Sequence, residues 1–244
     1  DSHLIQLSTD GVPLAILWQY SCHPTSLPHG DGHSAHFIGE VRKNVRAKLD
    51  TKIPFLFFQG FSGDLRPPAF NSHSKNIGKI LEKVLVGRRF RPFTEVEYRN
   101  WCQAISEQFL NYFDKINHEF NYSKKGKNSL IQISRSNWPL GEIFFSNAFS
   151  NRVFSIHKLE FEDFILVGVS AELTSDWEQV FKSLNQKKIV IGITCIDDTF
   201  GYLPSQRIIL EGGYEAGEYC KLFDLPNLHS ATPEIFKKKL KSLF

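Results

Sequence analysis

Pro13-Leu14-Ala15-Ile16-Leu17-Trp18-Gln19-Tyr20, continuing into Ser21-Cys22-His23-Pro24-Thr25-Ser26, is the stretch on which the fold turns. Its first eight residues are apolar enough for a buried strand. Pro24 has no N–H to give a sheet ladder and biases the residue before it toward an extended backbone, so the strand ends at His23. Upstream, His3 to Leu7 alternates and Ser8-Thr9-Asp10-Gly11 makes a turn with an Asp-Gly step, which predicts a β-hairpin whose second strand delivers His23. Loops that leave the strand ends of an open α/β sheet are where ligands bind. Taken alone, His23 is either an ordinary hydrogen-bonded histidine or a metal-binding or catalytic one.

Working outward, Leu27-Pro28-His29-Gly30-Asp31-Gly32-His33 is too rich in glycine and polar residues for regular structure. From Ser34 the spacing of Phe37, Val41, Val45 and Leu49 predicts an amphipathic helix. His23, His29, His33 and His36 put four histidines in fourteen residues, a metal-cluster density without the helical i, i+4 spacing that would sharpen it. Pro54-Phe55-Leu56-Phe57-Phe58-Gln59 predicts an inner strand covered on both faces. It empties into Gly60-Phe61-Ser62-Gly63-Asp64-Leu65-Arg66-Pro67-Pro68, a stiff turn with a polar tip. That turn is either structural, with Asp64 capping amides and pairing with Arg66, or a binding loop. Helices are predicted over residues 74–86 and 94–117, the second carrying Trp101, Ile105, Phe109 and Phe113 on one face, and a polar surface loop over 122–127.

Leu130 to Ser134 and Arg152 to Phe161 read as strands, and Ile165-Leu166-Val167-Gly168-Val169 as another that ends at Ser170-Ala171-Glu172. Glu172 precedes a predicted helix carrying Trp177, Val180, Phe181 and Leu184. It is either a carboxylate stabilised by that helix's dipole or an oxygen ligand on the same sheet edge as His23. Lys188 to Thr194 is the last strand and leads through Asp197-Asp198-Thr199-Phe200 to Gly201-Tyr202-Leu203-Pro204. A helix from Pro233 closes the chain. Four apolar strands thus each empty into a polar loop, bearing His23, the Asp64–Arg66 turn, Glu172 and Tyr202, and this recurrence predicts one shared site.

Composition sets outer bounds. With 244 residues, 41% hydrophobic and 23% charged, the chain suits a soluble α/β domain. A net charge of +3 gives no case for nucleic acid, and the lysines of Phe236-Lys237-Lys238-Lys239-Leu240-Lys241 fall on the solvated face of a terminal helix. No apolar run reaches the roughly 18 residues of a membrane helix. Cys22, Cys102, Cys195 and Cys220 are far apart and read as free buried thiols. The lack of methionine and the start at Asp1 lead to the expectation of a missing N-terminal segment, which leaves compartment open, as the sequence leaves oligomeric state.

Four segments in order, Tyr20-Ser21-Cys22-His23-Pro24-Thr25-Ser26, Phe58-Gln59-Gly60-Phe61-Ser62-Gly63-Asp64-Leu65-Arg66-Pro67, Ser170-Ala171-Glu172-Leu173-Thr174, and Gly201-Tyr202-Leu203-Pro204 with Gly213-Tyr214-Glu215, resemble the neutral/alkaline, non-lysosomal ceramidase family. These are zinc-dependent amidases that cleave the N-acyl bond of ceramide. The resemblance implies a mixed open sheet with flanking helices, its active site in loops at strand ends and no C-terminal immunoglobulin-like domain, over residues 1–244. It implies Zn2+ held by His23, Glu172 and Tyr202, with Tyr214 holding the substrate carbonyl oxygen. A further histidine ligand belongs to a motif N-terminal to Asp1. Arg66 stands where ceramidases carry a serine implicated in catalysis, and His36 where they carry an aspartate. A guanidinium favours carboxylate or phosphate partners, so an acidic amide substrate is expected, with Arg66, Ser62 and His36 binding it. Proton acceptors are sought among His33, His36 and Asp64. The expected activity is zinc-dependent hydrolysis of a small-molecule or lipid-like amide. The alternatives are a catalytically silent binding protein holding an anion on Arg66, and an esterase or peptidase using the same metal.

Overall fold

The pleat divides the side chains of β2 (Val12–Tyr20) into two sets, and in the computed structural model each set meets a different layer. Ile16 and Trp18 pack with Phe37, Val41 and Val45 of α1 (His36–Leu49) and with Ile105 and Phe109 of α2 (Glu95–Glu119). Leu17 instead packs on Leu166, Ile191 and Ile193. The structure describes residues 2–9, 12–25, 27–28, 32–49, 52–69, 91–119, 131–144 and 151–244. The expected helix over 74–86, the loop over 122–127, His29 and the tip Asp10-Gly11 lie outside them.

The first sheet has the order β1-β2-β3. β1 (Ser2–Thr9) pairs antiparallel with β2, giving the expected hairpin, and β3 (Phe55–Gln59) pairs parallel with β2, with α1 as the crossover. Among the described residues β3 is an edge strand, with Leu56 48% exposed, not the inner strand its composition suggested. The second sheet joins β4 (Gln132–Pro139), β5 (Val153–Glu160), β6 (Phe164–Val169) and β8 (Ile189–Ile193) in that order, the last pair parallel. A two-residue parallel pair, β7 (Glu172–Leu173) with β9 (Tyr202–Leu203), stands apart.

The two sheets lie face to face. Leu17, Ile5, Leu7 and Phe58 from the first meet Leu159, Leu166, Ile191 and Ile193 from the second. The outer face of the second sheet, with Phe154, Ile156, Ile165, Val167 and Val190, is covered by α3 (Leu140–Phe144), α4 (Trp177–Lys182) and α7 (Thr232–Lys241). The order of layers is therefore helices, sheet, sheet, helices: the mixed open α/β architecture with flanking helices that the resemblance implies, built from two stacked sheets. The core of the first half is unusually aromatic: Trp18 meets Phe37, Phe55, Phe57 and Phe109 edge-on at 5.2–6.1 Å between ring centroids. α7 buries Phe236 and Leu240 and turns its lysines outward, as the spacing predicted. Cys22, Cys102 and Cys220 are buried free thiols, whereas Cys195 is exposed in the loop after β8. No helix among the described residues is long and apolar enough to cross a membrane, and these residues hold no immunoglobulin-like unit.

Candidate functional site

Because β2 and β3 run parallel, and β6 and β8 run parallel, each half sends two strand ends to one edge. Backbone hydrogen bonds join the two edges. The Gly60 N–H donates to Tyr20 O at 3.0 Å and the Thr194 N–H to Gln59 O at 2.9 Å, tying the ends of β2, β3 and β8. The Cys195 N–H donates to Ala171 O at 3.1 Å, adding the segment after β6. The loops bearing His23, the Asp64–Arg66 turn, Glu172 and Tyr202 are thereby gathered at one edge.

β2 ends at Tyr20, and His23 lies three residues further, its N–H on Leu65 O at 3.3 Å. Gln59 donates to Cys22 O at 3.0 Å, fixing the turn that presents the imidazole. His23 Nε2 stands 2.9 Å from Glu172 Oε1, and both side chains are four-fifths buried, at 19% and 16% exposure. Glu172 belongs to β7, five residues before α4, so of its two readings the helix-dipole carboxylate does not hold: its pairing partner is β9, with Glu172 opposite Tyr202. The Tyr202 phenol lies close to the Glu172 carboxylate across this pair. Burial, with Glu172 beside it, pushes the Tyr202 phenol well above the usual tyrosine range. An imidazole nitrogen, a carboxylate and a phenol from three strand ends thus meet.

Tyr214 opens a π-helical turn, Tyr214–Glu218, behind Gly213, whose φ of 106° suits glycine. Its ring lies edge-on to Tyr202 at 5.8 Å. α6 (Tyr219–Leu222) follows directly, after α5 (Gln206–Glu211).

The turn after β3 separates into parts. Ser62 is fully buried and accepts from Gln59 at 2.8 Å, which corrects its expected role: the hydroxyl supports the loop and offers no surface to a substrate. Gly63 donates to Leu173 O at 2.9 Å, a close approach in which a Cβ would stand 3.1 Å from that oxygen. Asp64 accepts two hydrogen bonds from Ser175, from its N–H at 2.6 Å and its hydroxyl at 2.8 Å, with Arg207 at 3.9 Å. Arg66 is exposed at the turn's end. His36 sits at the start of α1 with φ 51° and its ring edge-on to Phe37 and Tyr98, at 6.0 and 5.6 Å, so its contacts lie in the α1–α2 layer. Burial lowers its pKa. His33 is exposed.

Several groups escaped sequence reading. Asp176 accepts from Ser205 and from Arg207 at 2.9 Å, and Asp197 stands 3.1 Å from Arg135 and 2.7 Å from His157. Tyr219 donates to Tyr202 O at 3.0 Å. The signal for Tyr219 was present: three of the chain's seven tyrosines fall between positions 202 and 219.

Among the described residues no three of His, Cys, Asp and Glu cluster so as to hold a metal, so a metal here would take the phenol as third protein donor. The spacing fits. Donors about 2.0–2.1 Å from a tetrahedral zinc stand about 3.3 Å apart, so the His23–Glu172 separation of 2.9 Å needs only a slight opening.

The sequence matches no protein-family model and no curated protein. Two solved structures share the fold over 98% of this chain: a neutral ceramidase from Pseudomonas aeruginosa, at 12% identity and TM-score 0.63, and a ceramidase complexed with C2, at 11% and 0.64. The chain spans 45% of the first and 46% of the second, a little under half of each, and what the likeness shows is a ceramidase-like α/β fold.

Proposed function

We propose that this chain carries the site of a zinc-dependent hydrolase of a carbon–nitrogen amide bond. The observation that carries the reading is the gathering of His23, Glu172 and Tyr202 from three separate strand ends, His23 and Glu172 at 2.9 Å and Tyr202 opposite Glu172 in the β7–β9 pair. These three residues hold the zinc, whose chemistry when bound is a water of pKa about 7 and a polarised scissile carbonyl. Tyr214, edge-on to Tyr202, donates its hydroxyl to the oxyanion that develops on that carbonyl oxygen. The exposed Arg66 orients an acidic or polar part of an N-acylated substrate. Asp64 is held by Ser175 on both carboxylate oxygens and positions the loop; it is a weaker choice of proton acceptor than sequence alone made it.

Zinc content and turnover test this together. The purified full protein should hold about one zinc per chain, falling below about half in His23→Ala and in Glu172→Gln. It should release carboxylate steadily from N-acyl amides, ceramide among those screened, and Tyr214→Phe should lower kcat by about a hundredfold, as loss of one oxyanion donor does. One observation favours a silent binding protein: His23 and Glu172 pair with each other, and among the described residues they join no group of three His, Cys, Asp or Glu side chains able to hold a metal. Zinc retained with no turnover of any amide would decide for that second reading.

A further inference from the structure

We propose that Tyr219 is the positioning residue for Tyr202, setting the phenol where zinc needs it while touching neither metal nor substrate. The inference rests on the zinc reading above and adds a residue to it. β9 is two residues long and among the described residues pairs on one side only, with β7, so its backbone must be fixed from elsewhere. Two side chains do this. Trp177 Nε1 donates to Leu203 O at 2.9 Å, and the Tyr219 hydroxyl donates to Tyr202 O at 3.0 Å.

Tyr219 does more than bond a carbonyl. Its ring packs on the Tyr202 ring at 5.1 Å and on Tyr214 at 6.4 Å, so one side chain touches both phenols of the site. It is buried, at 2% exposure. The residue before Tyr202 is glycine at φ 136°, and a Cβ there would stand 2.7 Å from Tyr219 Cε2; the chain is cut back to admit this ring. Groups that orient metal ligands in this way change metal affinity by about 10–100-fold when removed.

Tyr219→Phe deletes the hydroxyl and keeps the ring. Zinc affinity of the full protein is measured by competition with a chromophoric chelator, and the cobalt-substituted protein by its d–d spectrum. Expected are an affinity at least about tenfold weaker and a shifted cobalt spectrum, with the melting point of the metal-free protein little changed. Tyr98→Phe, another buried phenol but in the α1–α2 layer, should leave both readouts alone and so controls for general loosening. If Tyr219→Phe does not fold, Tyr219→Leu also removes the hydroxyl while keeping an apolar side chain in the space, and should weaken zinc likewise. Zinc affinity within twofold of wild type, with an unaltered cobalt spectrum, overturns the inference and leaves the zinc reading standing. A wild-type protein that binds no zinc overturns both.

Discussion

Asp64 ties the two halves of the molecule together, and removing its carboxylate should cost stability in a calculable way. Both oxygens are engaged: Ser175 N–H donates to Oδ1 at 2.6 Å and the Ser175 hydroxyl to Oδ2 at 2.8 Å, in a side chain 20% exposed. Hydrogen bonds to a charged group contribute about 1.5–3 kcal/mol each. Arg207 at 3.9 Å adds little, since its own side chain is half exposed. Taking the lower figure for both bonds, because neither partner is fully buried, Asp64→Ala costs about 3 kcal/mol. In a chain of this size that is a fall in Tm of about 6–12 °C. Asp64→Asn keeps one acceptor oxygen and a polar group for the hydroxyl, and should cost about 1 kcal/mol. Urea denaturation measures both, with the midpoint moving and the m-value unchanged. A double-mutant cycle with Ser175→Ala isolates the hydroxyl, with a coupling of about 1 kcal/mol. If Asp64→Ala costs under about 1 kcal/mol, or the cycle shows no coupling, the cross-tie is refuted and Asp64 returns as a candidate for proton transfer.

Gly192 lies beneath the ring of Phe61, where a Cβ would stand 1.9 Å from Cζ. Phe61 is itself pinned against Phe181 at 4.7 Å, so Gly192→Ala should destabilise by about 3 kcal/mol or more, read by urea midpoint; a cost below about 1 kcal/mol would mean the ring is free to move. Burial pushes the Cys102 thiol up from 9.0 to about 11, so the native state keeps a proton that the unfolded chain loses. The sign follows: this contribution is whole below pH 9 and is lost as pH rises toward about 11, at about 1.4 kcal/mol per pH unit. Urea midpoints of Cys102→Ala between those pH values should therefore fall less steeply than those of wild type, and parallel curves would contradict the assignment.

How much of this was legible in the chain depended on whether a pattern named its partner. The run from Pro13 to Tyr20 announced a buried strand, and from Ile16 to Gln19 it is one, but apolar residues do not say whether the cover is helix or sheet. Ile16 and Trp18 meet helices while Leu17 meets a second sheet, and nothing in eight apolar residues separates those fates. The strand-end loops were readable because each apolar run stops at a polar cluster, whatever lies across from it. Glu172 shows the opposite limit. A carboxylate before a helix invites the dipole reading, yet a pairing thirty residues away with Tyr202 decides its position, and short parallel pairs leave no local signature. Ser62 failed for a related reason: a serine in a glycine-rich turn resembles a binding residue until Gln59, three residues back, claims its hydroxyl.

The layered arrangement also explains why the site forms between halves and not within one. Each half contributes a parallel pair with a crossover helix, β2-α1-β3 and β6-α4-β8, and a parallel pair sends both following loops to the same edge. Stacking two such units face to face brings four loops together only if the sheets are in register along the strands. That register is fixed at the edge itself. Gln19 reaches across from the first sheet to Gly192 O at 3.2 Å, Thr194 donates its N–H to Gln59 O at 2.9 Å and its hydroxyl to Gly60 O at 3.0 Å, and Gly63 donates to Leu173 O. Apolar contact is non-directional, whereas hydrogen bonds fix both distance and direction. The polar groups at Gln19, Gly60, Gly63 and Thr194 therefore set the 2.9 Å meeting of His23 with Glu172, though none of them belongs to the donor set.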